Sequence, residues 1–174
     1  HVYGLQRSQV GSVLAMIAWG MILGSPLLGF LSDRVFKSRK KPFIFCMILL
    51  TAELALFTLV PAGIPLPLLY LLFFLFSVCS SSIVIIGFTA TKELFPVEIA
   101  GTSVGAVNLF PFLGGAVYMP LLGKVLDAFP KSGAVYSLEG YRALLLILLA
   151  SGIICLACTA FMKETYLGAD PPRR

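Results

Sequence analysis

The chain has 174 residues, 59% of them hydrophobic and only 12% charged, with a formal net charge of +5. A soluble domain carries about a quarter charged residues, and a fold of this length has too little interior to hide so much apolar surface. A water-soluble globule is excluded, and lipid is the expected solvent. The chain opens at His1 without an initiator methionine and is expected to be part of something longer, or a processed chain.

Little suggests enzyme chemistry. There is one histidine, His1, no cluster of His, Cys and carboxylate at metal spacing, and no glycine loop of the phosphate-cradling kind. No enzyme activity, metal, cofactor or nucleic-acid partner is expected. The four cysteines, Cys46, Cys79, Cys155 and Cys158, all lie in apolar stretches and read as small packing residues rather than as disulfides or a redox C-x-x-C.

A bilayer crossing needs about 20 mostly apolar residues, and five stretches qualify. They cover about 10–31, 43–60, 67–91, 99–123 and 143–162. Runs such as "LLYLLFFLF" do not alternate apolar with polar residues, as barrel strands do. An all-α membrane protein with five transmembrane helices is expected. The first span is too long for a signal sequence, and no A-x-A-like site precedes the charges that follow it.

Those charges form a knot, "GFLSDRVFKSRKK" at 29–41. With alternating loops, one side of the membrane receives nine bases: Arg34, Lys37, Arg39, Lys40, Lys41, Lys92, Lys163, Arg173 and Arg174. The other receives four: Arg7, Lys124, Lys131 and Arg142. The positive-inside rule then puts loop 32–42 and the C-terminus in the cytoplasm, in an inner or plasma membrane. A basic cluster at a membrane is also suited to anionic lipid headgroups.

Topology alone does not need Asp33. The pattern G-x-L-S-D-R at Gly29, Leu31, Ser32, Asp33 and Arg34, followed by Arg39, Lys40 and Lys41, resembles the signature loop of the major facilitator superfamily. A glycine and arginines usually come sooner after that aspartate; here Phe36 and Lys37 stand near the glycine's place. "KELFPVEIAGTSVGAVN", "NLFPFLGGAVYMPLLGKVLD" and "FMKET" are similar to later parts of the C-terminal half of that family. The resemblance implies residues 1–174 as helices eight to twelve of a twelve-helix bundle whose N-terminal half is absent here. It further implies a secondary active transporter that moves a small solute by alternating access, with proton coupling as a further expectation. Asp33 would face a helix terminus of the other half and lock one access state, with Gly29, Arg34, Arg39 and Lys40 completing the gating loop; the local alternative is a loop cap paired with Arg34. The alternative to a transporter is a non-transporting helical scaffold that binds partners laterally.

Several polar residues fall inside spans. Glu53 is the one ionisable residue deep within a span, where a charge costs about 2.5–3.5 kcal/mol. It is a proton-coupling candidate or a structural residue. Asn108 shares a helical face with Gly101, Gly105, Phe112 and Gly115, and its amide would bond either substrate or a neighbouring helix. Ser77, Ser80 and Ser81 lie on the third span, which the resemblance places beside the central cavity; packing is their other reading. Pro111, Gly114, Gly115 and Pro120 make the fourth span the one expected to bend. Gly20 and Gly24 read as a close helix contact. The expected partners are the bilayer, the absent half and an unspecified small solute.

Overall fold

The computed structural model describes residues 5–132 and 135–166. Six α-helices build five membrane-spanning segments among them. Helix α1 (Arg7–Phe30) continues through a wider turn at Leu31–Val35, and α2 is Lys40–Leu59. The third span joins α3 (Leu66–Ser80), a second wide turn at Ile83–Gly87 and α4 (Phe88–Leu94). Helices α5 (Val97–Asp127) and α6 (Leu138–Ala160) complete the set. Helices are forced here, because a backbone crossing hydrocarbon must satisfy its own N–H and C=O groups.

The spans outrun the apolar runs at several ends. α1 begins at Arg7 and its helical path reaches Val35, so Asp33 and Arg34 sit on a helix end rather than in an open loop. Lys92 and Glu93 likewise belong to α4, leaving only Phe95 and Pro96 before α5. Between α5 and α6 the polar connection folds back as a two-residue hairpin, with β1 (Lys131–Ser132) antiparallel to β2 (Val135–Tyr136).

Local chemistry explains the breaks. Gly63 turns the chain after α2 with φ +85, a left-handed conformation that costs glycine nothing. Pro65 caps α3 and Pro67 lies in its first turn, where no backbone N–H is needed. Pro96 caps α5 in the same way. Pro111 and Pro120 lie inside α5, and the helix runs through both.

Helix α1 packs along α3, and α2 along α6. The α1–α3 seam is close because of glycine: a Cβ on Gly20 would lie 2.7 Å from the Ser77 Cβ, and one on Gly24 only 2.8 Å from the Val78 Cα. Small residues that let backbones approach are how helices associate in lipid. Two apolar cores result. Leu28, Cys46, Leu50, Cys79 and Ile86 pack where α1, α2 and the third span meet, and Val13, Ile64, Leu69 and Leu72 pack towards the opposite end. Helix α5 buries no residue among those described.

Candidate functional site

The basic knot folds into a charge cluster that ties together the ends of several helices. At the foot of α1 the Ser32 hydroxyl, fully buried, donates to the Ser38 carbonyl at 3.0 Å, and the Ser38 N–H returns a bond to the Ser32 carbonyl at 3.2 Å. This closes the reversal between α1 and α2. Lys37 sits within it at φ +45, the one non-glycine residue with positive φ among those described.

The reversal delivers Arg39 inward, with only 11% of its side chain exposed. Its Nη2 donates to Glu93 Oε1 at 2.8 Å, and its Nε lies 3.2 Å from both Glu93 oxygens. Its Nη1 donates to the Ser32 hydroxyl at 2.8 Å and to the Asp33 carboxylate. The Tyr166 ring lies 5.2 Å below the guanidinium carbon. The hydrogen bonds to Glu93, opposed by burial and joined by those to Asp33, raise the guanidinium pKa further above its ordinary value. Arg39 is a fixed cation between two acids from different helices.

A strap formed by residues 162–166 closes over this cluster. Glu164 Oε1 accepts the Arg39 N–H at 2.8 Å, its Oε2 accepts the Lys40 N–H at 3.4 Å, and the Ser38 hydroxyl bonds the same carboxylate. The carboxylate thus caps the N-terminus of α2, where free N–H groups and the helix dipole favour an anion. Burial alone would raise the Glu164 pKa, but the bonds from Ser38 and from the Arg39, Tyr166 and Lys40 N–H groups outweigh it and hold the carboxyl at about 2. The Thr165 hydroxyl donates to Glu93 Oε2 at 2.9 Å, and the Tyr166 hydroxyl to the Asp33 carbonyl at 3.0 Å. The Lys40 ammonium donates to the Ala160 carbonyl at the end of α6, at 2.7 Å.

Of the residues singled out in the gating loop, Asp33, Arg39 and Lys40 meet in this cluster. Arg34 is exposed and forms no salt bridge among the described residues. The intramolecular partner of Asp33 is therefore Arg39 rather than Arg34. Gly29 stands one turn above, where a Cβ would make ordinary contact with Ile85 at 3.8 Å. Sequence reasoning missed Glu93, Glu164, Thr165 and Tyr166. A signal existed: loop alternation puts Asp33, Arg39, Glu93 and Glu164 on one side of the membrane, so the acids were available to the buried base.

The polar residues within the spans are dispersed. The Ser77 hydroxyl, fully buried in the α1–α3 seam, donates to the Ile17 carbonyl. Ser80 donates to the Ser77 carbonyl at 3.0 Å, and Ser81, also buried, to the Val78 carbonyl at 2.7 Å. Asn108 is exposed on the open face of α5, whose Gly101, Gly105, Gly114 and Gly115 would carry a Cβ with nothing within 4 Å. Glu53 is buried in α2, and its Oε2 has no hydrogen-bond partner. The buried Ser82 hydroxyl is also unpartnered. Among the described residues no group of three or more His, Cys, Asp or Glu is placed to hold a metal.

Five helices long and apolar enough to span a membrane, with an ion-pair cluster at one end, make this an integral membrane protein. The chain belongs to the Major Facilitator Superfamily, whose family model matches residues 1–174. It is similar to the glycerol-3-phosphate transporter of Bacillus subtilis, at 31% identity over 131 residues that cover 74% of this chain and 29% of that protein. It is also similar to the phosphoglycerate transporter protein of Salmonella typhimurium, at 27% identity over 173 residues that cover 94% of this chain and 32% of the relative. The matched region thus spans less than a third of the length of either relative.

Proposed function

We propose that this chain is the C-terminal portion, helices eight to twelve, of a secondary transporter that moves a small organic phosphate across the cytoplasmic membrane by alternating access. The observation that carries the reading is the superfamily match along the whole chain, joined to two relatives whose named cargoes are both phosphate esters of three-carbon compounds. Loop 32–42 and the C-terminus then lie in the cytoplasm, as the distribution of bases favours.

In this reading the Arg39 cluster makes the cytoplasmic ends of the helices one rigid body. Asp33, whose side chain is 53% exposed, keeps a carboxylate face for a helix terminus of the absent half. Making that contact locks one access state, and breaking it lets the halves rock. Pro111, Gly114, Gly115 and Pro120 give α5 its bend during that motion, since proline removes a backbone bond and glycine tolerates the distortion. Asn108, exposed on α5, is the polar group best placed to meet a solute, because the hydroxyls of Ser77, Ser80 and Ser81 are already engaged by carbonyls. Glu53 carries the coupled proton; its buried oxygen without a partner supports that role. The Lys and Arg residues of the described chain lie at or near helix ends, so the cation that neutralises a phosphate in mid-membrane comes from the absent half.

Uptake of labelled glycerol 3-phosphate into liposomes that hold the whole transporter tests the reading. Uptake that falls at least tenfold in Asp33→Asn while solute binding persists is the expected result. A whole transporter that takes up no organic phosphate overturns the substrate class, and Asp33→Asn with unaltered uptake overturns the gate.

A further inference from the structure

The cluster uses up most of the acids at the basic end but few of its bases. Asp33 and Glu93 are engaged by Arg39, and Glu164 by Ser38 and the first N–H groups of α2. Arg34, Lys37, Lys41, Lys92 and Lys163 remain exposed, with no salt bridge among the described residues. Glu98, in the first turn of α5, is the remaining described acid at this end.

Arg34, Lys37, Lys41 and Lys163 each lie within two residues of a residue bound into the cluster or its helix cap. Lys41 lies in the first turn of α2, which Glu164 caps; Lys163 adjoins Glu164; Lys37 is two residues before Arg39; and Arg34 follows Asp33. Large apolar side chains stand exposed beside them: Phe36 between Arg34 and Lys37, Phe45 one turn into α2, and Phe161, 90% exposed, two residues before Lys163. Aromatic residues next to bases at the end of a span mark the interface, where the ring sits in hydrocarbon and the charge in the headgroup layer. A soluble acidic partner would leave those rings in water. A lipid accounts for both features at once.

We propose that Arg34, Lys37, Lys41 and Lys163 form a binding rim for the phosphate of an anionic phospholipid whose acyl chains lie against Phe36, Phe45 and Phe161. The rim requires that the chain spans the membrane and that the rest of the transporter leaves these bases uncovered; it does not depend on which solute is carried.

The test places the protein in nanodiscs of phosphatidylcholine with a minority of phosphatidylglycerol, and measures by mass spectrometry the lipid that remains bound after extraction. Phosphatidylglycerol is expected to be enriched at least about fivefold over its input, equivalent to roughly 1 kcal/mol for a single base at an anionic surface. The enrichment should fall as salt rises in the unmodified protein, and should vanish in a combined Lys37→Gln, Lys41→Gln, Lys163→Gln variant while the corresponding Lys→Arg changes keep it. Equal retention of both lipids, or enrichment unchanged by salt and by the Gln variant, overturns the proposal. Displacement of phosphatidylglycerol by inorganic phosphate alone also overturns it, because the rim would then be a site for free anions.

Discussion

The guanidinium of Arg39 bridges Asp33, at the foot of the first span, and Glu93, at the foot of the third, with Glu93 gripped by both Nε and Nη2. One cation thus fixes how two spans end relative to each other. Arg39→Ala leaves Glu93, only 15% exposed, without its counter-charge, and is expected to cost about 3 kcal/mol. Arg39→Lys recovers little, because an ammonium cannot reproduce the two-pronged contact. Asp33→Asn is expected to cost under about 1 kcal/mol, since that side chain is half in solvent. Thermal unfolding midpoints of the purified variants check the ranking; equal losses at both positions would contradict it.

Glu164 sets a pH signature outside the membrane. Its carboxyl pKa is held at about 2 in the folded chain against an ordinary 4.5, so the folded state favours the ionised form. The contribution is complete above the unfolded pKa and is lost as pH falls from about 4.5 towards 2. Stability should therefore show no dependence on Glu164 between about pH 5 and 8. Glu164→Gln is expected to lose about 1 kcal/mol at neutral pH, an amount discounted for its exposure, and to flatten the acid limb of the stability profile.

The α1–α3 seam should not tolerate a side chain at Gly24. An added Cβ would meet Val78 backbone at 2.8 Å, so Gly24→Ala must push the helices apart, at about 1–3 kcal/mol. Gly101→Ala, on the open face of α5, has nothing within 4 Å to strike and should be neutral or mildly stabilising in this chain. Comparing the two by thermal midpoint separates packing from helix propensity.

Lys37 is held in a left-handed conformation that disfavours any residue with a Cβ. Lys37→Gly relieves that strain and should gain about 0.5–1 kcal/mol after allowing for the greater freedom of glycine in the unfolded chain. A loss in midpoint instead would mean that the lysine side chain contributes more than its backbone costs.

Glu53 buries a carboxyl oxygen with no partner, at a cost of about 1–3 kcal/mol that a hydrophobic residue avoids. Glu53→Met is therefore expected to raise the midpoint. In the whole transporter the same variant should abolish the pH dependence of uptake if Glu53 carries the proton, and leave it unaltered if the residue is only structural.

The site was only partly legible in the residues. The knot at 29–41 and its motif could be read directly, because a local pattern carries them, but the pairing of Asp33 with Arg39 could not. The strap could not: Glu164 lies 125 positions from the Arg39 N–H it accepts. Ser77 shows the opposite limit. A serine in a span reads as packing or as solute contact, and its bond to the Ile17 carbonyl depends on Gly20 bringing the backbones together.

By itself the sequence determined that this is a helical membrane protein with five spans and an uneven distribution of bases between its ends. Those properties follow from about twenty consecutive apolar residues at a time, since hydrocarbon forces each stretch to close its own hydrogen bonds. Tertiary structure alone decided which charges meet. The reach of Arg39 to Glu93 and of Glu164 to the start of α2 depends on how α1 seats against α3 and α2 against α6. That seating is set by side-chain packing across the whole length of the helices, which a local reading of residues does not contain.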